Sequence, residues 1–282
     1  MGTTCEDNFL LNDWHVVAEC SQLKLKKIMN TQLFGKQITI AKEPNSHVQV
    51  YTDEKVLPVK LKYGFIWTSL GRPTRQIIDI PESLDKDRHV ISGGATQVNT
   101  SGLRVVENFL DQGHLSWVHP GFLGEQPHTE IPDYNVEIVN DEIFVSNVEL
   151  YQPKASTAST EGFLVAYEWR VYRPLTVALY KANSIHKDKM DYIVLFIQPI
   201  DEENCIVHSL LCYLSDNTTK EEVRWYMQVI FMQDKPILEN QIPKKLPLIS
   251  RAETPIRSDK ISIVYRRWLN EKLINYGAIT NS

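Results

Sequence analysis

The stretch Glu107-Asn-Phe-Leu-Asp111-Gln-Gly-His114-Leu-Ser-Trp-Val-His119 decides how the rest of the chain is read. Written as a helix at about 100° per residue, it gathers Glu107, Asp111 and His114 within roughly 60° of one another. These titratable groups border an apolar stripe of Leu103, Val106, Leu110 and Trp117, which places them at the edge of a buried face. His119, on a regular helix, would point about 140° away from His114. The helix must therefore bend or end. Gly113 lies inside the turn, and Pro120 disfavours helical geometry at His119, so the second histidine can swing back to the first. Two imidazoles converging beside buried carboxylates suit a divalent metal better than a plain core.

A third group lies far along the chain. The segment from Asn217 to Gln241 opens with Thr218 and Glu221 in the relation of a capping box. It continues with Val223, Met227, Ile230, Ile237 and Leu238 at helical spacing, and Asp234 stands in that stripe. A carboxylate facing a core costs roughly several kcal/mol unless it is paired, hydrogen-bonded or bound to metal. Pro236 predicts a kink nearby. Two histidines and one carboxylate with open positions are the ligand set of non-haem iron(II) oxygenases, and zinc hydrolysis draws on the same ligand types. Spacing alone leaves two further alternatives, an Asp234 paired with Arg or Lys and histidines that simply pack in the core.

Composition bounds the rest. The 282 residues can bury a sizeable core, as one large domain or two smaller ones. A net charge of -5 and a pI near 5.9 give no basic field for nucleic acid. No apolar run is long enough for a membrane span, and Glu6, Asp7 and Asp13 interrupt any signal core, so the chain reads as cytoplasmic. Its four cysteines, at 5, 20, 205 and 212, form neither a disulfide framework nor a CxxC metal site.

Short strands punctuated by Gly, Pro, Asn and Asp are expected at His15–Cys20, Gln37–Lys42, His47–Tyr51, Val59–Lys62 and Gly64–Ser69. Ile80–Asp87 reads as a linker and Val90–Asn99 as an extended approach to a helix over 102–118. Two strands joined at Asn140-Asp141 follow over 134–151. The Ser-, Thr- and Ala-rich stretch 152–162 is expected to be a mobile lid or a disordered loop. Long strands are expected at 163–183 and 190–214, and a last helix at 259–275 with Gly277 as its stop. A curved antiparallel sheet embraced by helices would bury these stripes.

With these residues in place, the chain resembles the α subunit of a Rieske non-haem iron oxygenase over nearly its whole length. The family's iron helix carries Asn or Glu, then Asp-x-x-His-x4-His, matched here by Asn108, Asp111, His114 and His119. Its late aspartate precedes Leu-Glu-x-Gln, as in Gln233-Asp234-Lys-Pro-Ile-Leu-Glu239-Asn-Gln241. Trp14-His-Val-Val-Ala and Tyr63-Gly-Phe-Ile-Trp67-Thr-Ser-Leu-Gly71 resemble the two ends of the family's Rieske domain. Between them the pattern departs. A Rieske cluster needs Cys-x-His and Cys-x-x-His pairs, yet no cysteine stands between Cys20 and Cys205. The [2Fe-2S] cluster is therefore expected to be missing from this chain.

The resemblance implies an α+β fold. A degenerate Rieske-like β domain (1–90) would precede a helix-grip catalytic domain (91–282) with a curved antiparallel sheet. It implies Fe(II) on His114, His119 and Asp234, an electron route through Asp111, and Asn108 or Glu107 tuning water at the iron. Electrons would come from NADH through an external Rieske-bearing reductase docking near Asp111. Within the family the chain is most similar to catalytic subunits of bacterial methylxanthine N7-demethylases. That likeness implies conversion of 7-methylxanthine to xanthine and formaldehyde. It also implies a glutathione S-transferase-like companion and a hetero-oligomer, a trimeric core being one arrangement. A non-catalytic scaffold in an oxygenase complex is the alternative.

Overall fold

Alternating apolar residues along the middle of the chain build one curved sheet, and everything else packs on its two faces. The computed structural model describes residues 4–23, 28–43, 47–154, 162–183, 186, 188–214, 218–249 and 252–280. The expected lid falls mostly at 155–161, outside the described residues.

After a short helix α1 (Asn8–Leu11) come β1 (His15–Glu19), β2 (Ile28–Leu33), β3 (Lys36–Lys42), β4 (Val48–Tyr51), β5 (Val56–Leu57), β6 (Val59–Lys62) and β7 (Phe65–Thr68). They form two antiparallel sheets, ordered β1-β7-β6 and β2-β3-β4-β5. The strand β2 was not expected from the sequence. Only Leu33 at its end is buried and the rest are exposed or half-buried, so no apolar period marks them; pairing with β3 from Ile28↔Ala41 to Leu33↔Lys36 makes the strand.

The large sheet contains β8 (His89–Val98), then, beyond the helices α2 (Gly102–Leu110) and α3 (Leu115–Val118), β9 (Asn135–Val139), β10 (Glu142–Gln152), β11 (Phe163–Arg173), β12 (Thr176–Ala182), β13 (Met190–Pro199) and β14 (Cys205–Tyr213). Its order is β8-β14-β13-β12-β11-β10-β9, antiparallel throughout. The hairpin β9-β10 turns at Asn140 and Asp141, both at positive φ (49° and 68°), the left-handed pair that matches the twist of the flanking strands. The long stretches 163–183 and 190–214 are each a hairpin instead of one strand. Pro174, which has no N–H to offer a ladder, splits the first. The Asp201–Asn204 turn, held by Asn204 Nδ2 on the Asp201 carboxylate at 2.9 Å, splits the second.

Period-two alternation gives the sheet two buried faces. Val177, Leu195 and Val207 join the cluster beneath α2 and the later helices, whereas Ala178, Phe196 and Leu210 face Trp14, Val16, Phe65 and Trp67 of the β1-β7-β6 sheet. Two helices complete the inner face: α4 (Lys220–Asn240) and α5 (Lys260–Glu271). The helix α4 begins one residue later than the sequence pattern predicts. Thr219 accepts from Glu222 N (3.2 Å) while the Glu222 carboxylate accepts from Thr219 N (2.8 Å), so the capping box is Thr219/Glu222, not Thr218/Glu221. The helix α5 ends at Glu271, before Leu273 at φ 56°, and Gly277 (φ 74°) lies beyond it in the strand approach. No helix among the described residues is long and apolar enough to cross a membrane.

Candidate metal centre

The helix α2 starts at Ser101, whose hydroxyl accepts from Leu103 N at 3.2 Å, and buries Leu103, Val106 and Leu110. It ends at Leu110, not at 118. Asp111 leaves helical geometry (φ -72°, ψ 128°), and its carboxylate accepts from Gly113 N at 2.9 Å. A side chain that closes its own turn competes with the helix and stops it there. Gly113 and Pro120 thus follow the break instead of making it. The chain restarts as α3, one short turn with His114 at its head and His119 (φ -116°, ψ 47°) at its tail. Because both histidines flank that turn, they are free of the 140° divergence a continuous helix would impose; their ring centroids lie 5.2 Å apart.

Asp234 meets them from the buried face of α4. Its Oδ1 lies 3.3 Å from His114 Nε2 and 3.0 Å from His119 Nε2, and one ligand atom from each of the three residues lies within 4.8 Å of the others. His119 and Asp234 are buried and His114 half-buried. The other ring nitrogens are held from behind: His114 Nδ1 faces Asp111 Oδ2 at 3.1 Å, and His119 Nδ1 faces Gln233 Oε1 at 2.9 Å. With Nδ1–H donating to those oxygens, both Nε2 lone pairs turn toward Asp234. Asp234 Oδ1 is buried and finds no hydrogen-bond partner of acceptable angle among the described residues, despite its short distances to the rings. Three donor atoms aimed at a common point, one of them an orphaned carboxylate oxygen, fit a divalent cation.

The local electrostatics agree. Burial disfavours charge on His114, but the Asp111 and Asp234 carboxylates outweigh it and push the imidazole up to about 9. Burial would raise both aspartates, yet the closely approaching His114 and His119 rings carry Asp234 below its ordinary range. Those from His114 and the Gly113 amide do the same for Asp111. Without metal the centre therefore draws a proton to its middle, the place a cation would take.

Not every expected residue joins the triad. Glu107 turns away, bound by Arg266 at 2.5 and 2.8 Å with Arg104 at 3.4 Å. Burial raises its carboxyl against the pull of Arg266. Trp117 is 62% exposed and Ile237 54% exposed, so neither belongs to the apolar stripe assigned to it; the end of α2 at Leu110 removes Trp117 from the stripe's register. Asn108, Asp111 and His114 form a wall between two cavities. One, of about 110 Å³, also holds His119, Asp234 and mostly apolar side chains. The other, of about 540 Å³, is lined by Arg104, Glu107, Glu253, Arg266 and Arg267 among others. Sequence reading missed Gln233 as the holder of His119, although its place beside Asp234 was a usable signal. It also missed Tyr167 and Lys181, which line the smaller cavity from the sheet and carry no local motif.

Residues 98–275 match the family described as the vanillate O-demethylase oxygenase C-terminal domain. The chain is 40% identical to the probable methylxanthine N7-demethylase NdmC of Pseudomonas sp. (strain TJI-51), over 96% of this chain and 98% of that protein. Among solved structures it superposes on Pseudomonas putida CBB5 NdmA with caffeine at a TM-score of 0.76, with 17% identity, covering 94% of this chain and 92% of that one. On dicamba monooxygenase bound to dicamba the TM-score is 0.69, with 13% identity and coverage of 94% and 97%.

Proposed function

The chain belongs to the Rieske non-haem iron oxygenases, in the group sharing the vanillate O-demethylase oxygenase C-terminal domain, and from that premise we propose that it is the iron-bearing subunit of an N-demethylating monooxygenase. The reading assigns Fe(II) to His114, His119 and Asp234, and 7-methylxanthine as substrate, with xanthine and formaldehyde as products. The observation that carries it is the orphaned Asp234 Oδ1 facing two oriented imidazoles on the wall of an apolar cavity.

When bound, the iron supplies dioxygen activation, spending two electrons to hydroxylate an N-methyl carbon, which then leaves as formaldehyde. The chain's own residues do the rest. Asp111 and Gln233 fix the ring planes of His114 and His119, a support whose loss commonly costs about 10 to 100-fold. Leu179, Ile193, Leu195, Ile230 and Phe231 line the cavity and exclude water from the reacting methyl group. Asn108 sits on the wall beside the triad, placed to orient water there.

The electrons are assigned to a Rieske-bearing, NADH-dependent reductase. Two features support this: the gap without cysteine from 21 to 204, and the position of Asp111, which lines the larger cavity as well as touching His114. Residues 1–90 are read as a remnant of the electron-transfer domain, 91–282 as the catalytic one, with a glutathione S-transferase-like companion beside the remnant in a hetero-oligomer.

The test loads the purified chain with Fe(II), adds a Rieske reductase and NADH, and follows formaldehyde and xanthine from a panel of methylxanthines. Release of both, dependent on NADH, is expected. Zinc in place of iron on metal analysis, with no formaldehyde from any compound, would return the chain to a hydrolase or a scaffold.

A further inference from the structure

A third cavity, of about 310 Å³, is enclosed by α3, the loop that follows His119 and the strand β10. Leu115 and Leu123 line both it and the metal cavity, so the two spaces share a wall. Gln112 stands in its lining, 1% exposed, and neither Nε2 nor Oε1 of its amide finds a hydrogen-bond partner among the described residues. A buried donor or acceptor left open costs roughly 1–3 kcal/mol, and this side chain leaves one of each. The walls are closely built. Gly124 packs on α3 so tightly that a Cβ there would come 2.7 Å from Ser116 Cα, and one at Gly162 would come 2.2 Å from the Tyr151 hydroxyl. Ser116 Oγ donates to His128 O at 2.9 Å, and His128 stacks on Tyr151 with ring centroids 4.0 Å apart and 29° between planes. The lining thus combines an open amide with a flat aromatic pair. Glu130 and Glu149 also line it, and among the described residues no lysine or arginine does.

A primary amide open at both ends is matched by a second amide held cis, because donor and acceptor then lie side by side on each partner. Ring lactams and imides are fixed in that geometry. A carboxylate offers acceptors only, and here it would meet two carboxylates at the wall. We propose that this cavity is a second binding site, for a neutral planar cyclic amide, and that it holds the substrate before it crosses the wall of Leu115 and Leu123 to the metal. Gln112 pairs with the amide edge of the ring, and the stacked rings of His128 and Tyr151 supply the flat surface it lies against. The proposal rests on the demethylase reading above and deepens it: methylxanthines carry ring amides, whereas benzoate-type acids do not. A bicycle of the same shape without those amides would leave Gln112 unanswered, the situation in which polar sites discriminate most strongly.

The test is calorimetric titration of the iron-loaded full chain, with no reductase present so that nothing is consumed. The compounds are 7-methylxanthine, 7-methylpurine, which is the same bicycle without ring amides, and benzoate. The wild type is expected to take up two molecules of 7-methylxanthine per chain, and neither of the other compounds should fill the second site. Gln112→Met and Tyr151→Leu should each weaken binding at that site by about tenfold or more, with iron content and binding at the first site kept. Gln112 lies beside the iron ligands in the chain, so Tyr151→Leu, on β10, carries the comparison should Gln112→Met lose iron. In turnover both variants should raise KM without a matching fall in kcat. A single site in the wild type, or a second site that either iron-retaining variant leaves intact, overturns the proposal, as does loss of the second molecule with KM unmoved. The demethylase reading survives each of these if formaldehyde is still released. Binding of 7-methylxanthine at neither site overturns both.

Discussion

On one side of Asn108, Asp111 and His114 lies a small cavity walled by leucine, isoleucine, tyrosine and tryptophan; on the other lies a basin nearly five times larger, walled by arginine and glutamate. In the basin the charges answer one another. Arg266 grips Glu107 at 2.5 Å and Glu253 at 2.5 Å, and Arg104 grips Glu253 at 2.7 Å. In the small cavity the metal-ligating groups converge without that closure: Asp234 Oδ1 has no hydrogen-bond partner of acceptable angle among the described residues, although two imidazole nitrogens lie within 3.3 Å of it. Paired charges hold structure, whereas charges gathered in a dry pocket without closure mark where an ion or a substrate is to complete the set. The basin, with Ile237 and Ile263 exposed at 54% and 39% along its lining, suits a docking macromolecule; the cavity suits chemistry. Asp111 belongs to both.

The strongest way to break this contrast is at the triad. Asp234→Ala should remove iron from the purified protein and abolish formaldehyde release, while the metal-free chain melts only modestly below the wild type, since alanine removes the buried carboxylate's desolvation cost together with its attraction to His114 and His119. Metal analysis and calorimetry check the two halves. Full iron retention in this variant would dissolve the assignment. Next in size is the wall itself. Asp111→Ala should keep its iron and its affinity for 7-methylxanthine, yet lose turnover by about 10 to 100-fold or more. Normal turnover would remove Asp111 from the electron route.

The basin should respond differently. Ile237→Glu, on the exposed flank of α4, is expected to weaken reductase-dependent turnover by about tenfold at limiting reductase. At saturating reductase the rate should recover, with purine affinity unmoved, as for a rim residue of a docking surface. A loss of purine affinity instead would mean the two cavities are not separate in function.

Much of the centre was legible in the sequence because its signals are local. Four residues separate His114 from His119, Pro120 follows, and Asp234 interrupts a helical stripe. Helix stripes and the β9-β10 turn were legible for the same reason, being set by neighbours in the chain. The break at Asp111 was placed too late, because the decisive interaction is a side chain closing on Gly113 N, and aspartate reads equally well as an exposed helix residue. The turns of Glu107 toward Arg266 and of Gln233 toward His119 depend on partners 159 and 114 positions away. Nor could a period reveal β2, which owes its strand to pairing. Tyr167 and Lys181 meet only through the β11-β12 register, information that exists once the sheet has formed.

Lys181 offers the finest test of the contrast, since it reports whether the small cavity is dry. Its ammonium is pulled from 10.5 to about 8 by burial, so between those values the folded chain holds one proton fewer than the unfolded chain. Stability then rises with pH across the window from about 8 to 10.5, with a limiting slope of about 1.4 kcal/mol per pH unit. Between pH 7 and 9 the gain should be about 1 kcal/mol, because the lower end lies before the window opens. In the metal-free protein His114 works in the opposite direction: lifted to about 9, it contributes stability below its unfolded value of 6.5 and loses it as pH passes 9. Both trends occur in the wild type, and only the first disappears in Lys181→Met. The difference in urea midpoints between the two proteins, followed from pH 7 to 9, isolates it. A flat difference would mean that water reaches Lys181, in which case the cavity is wetter than its lining implies.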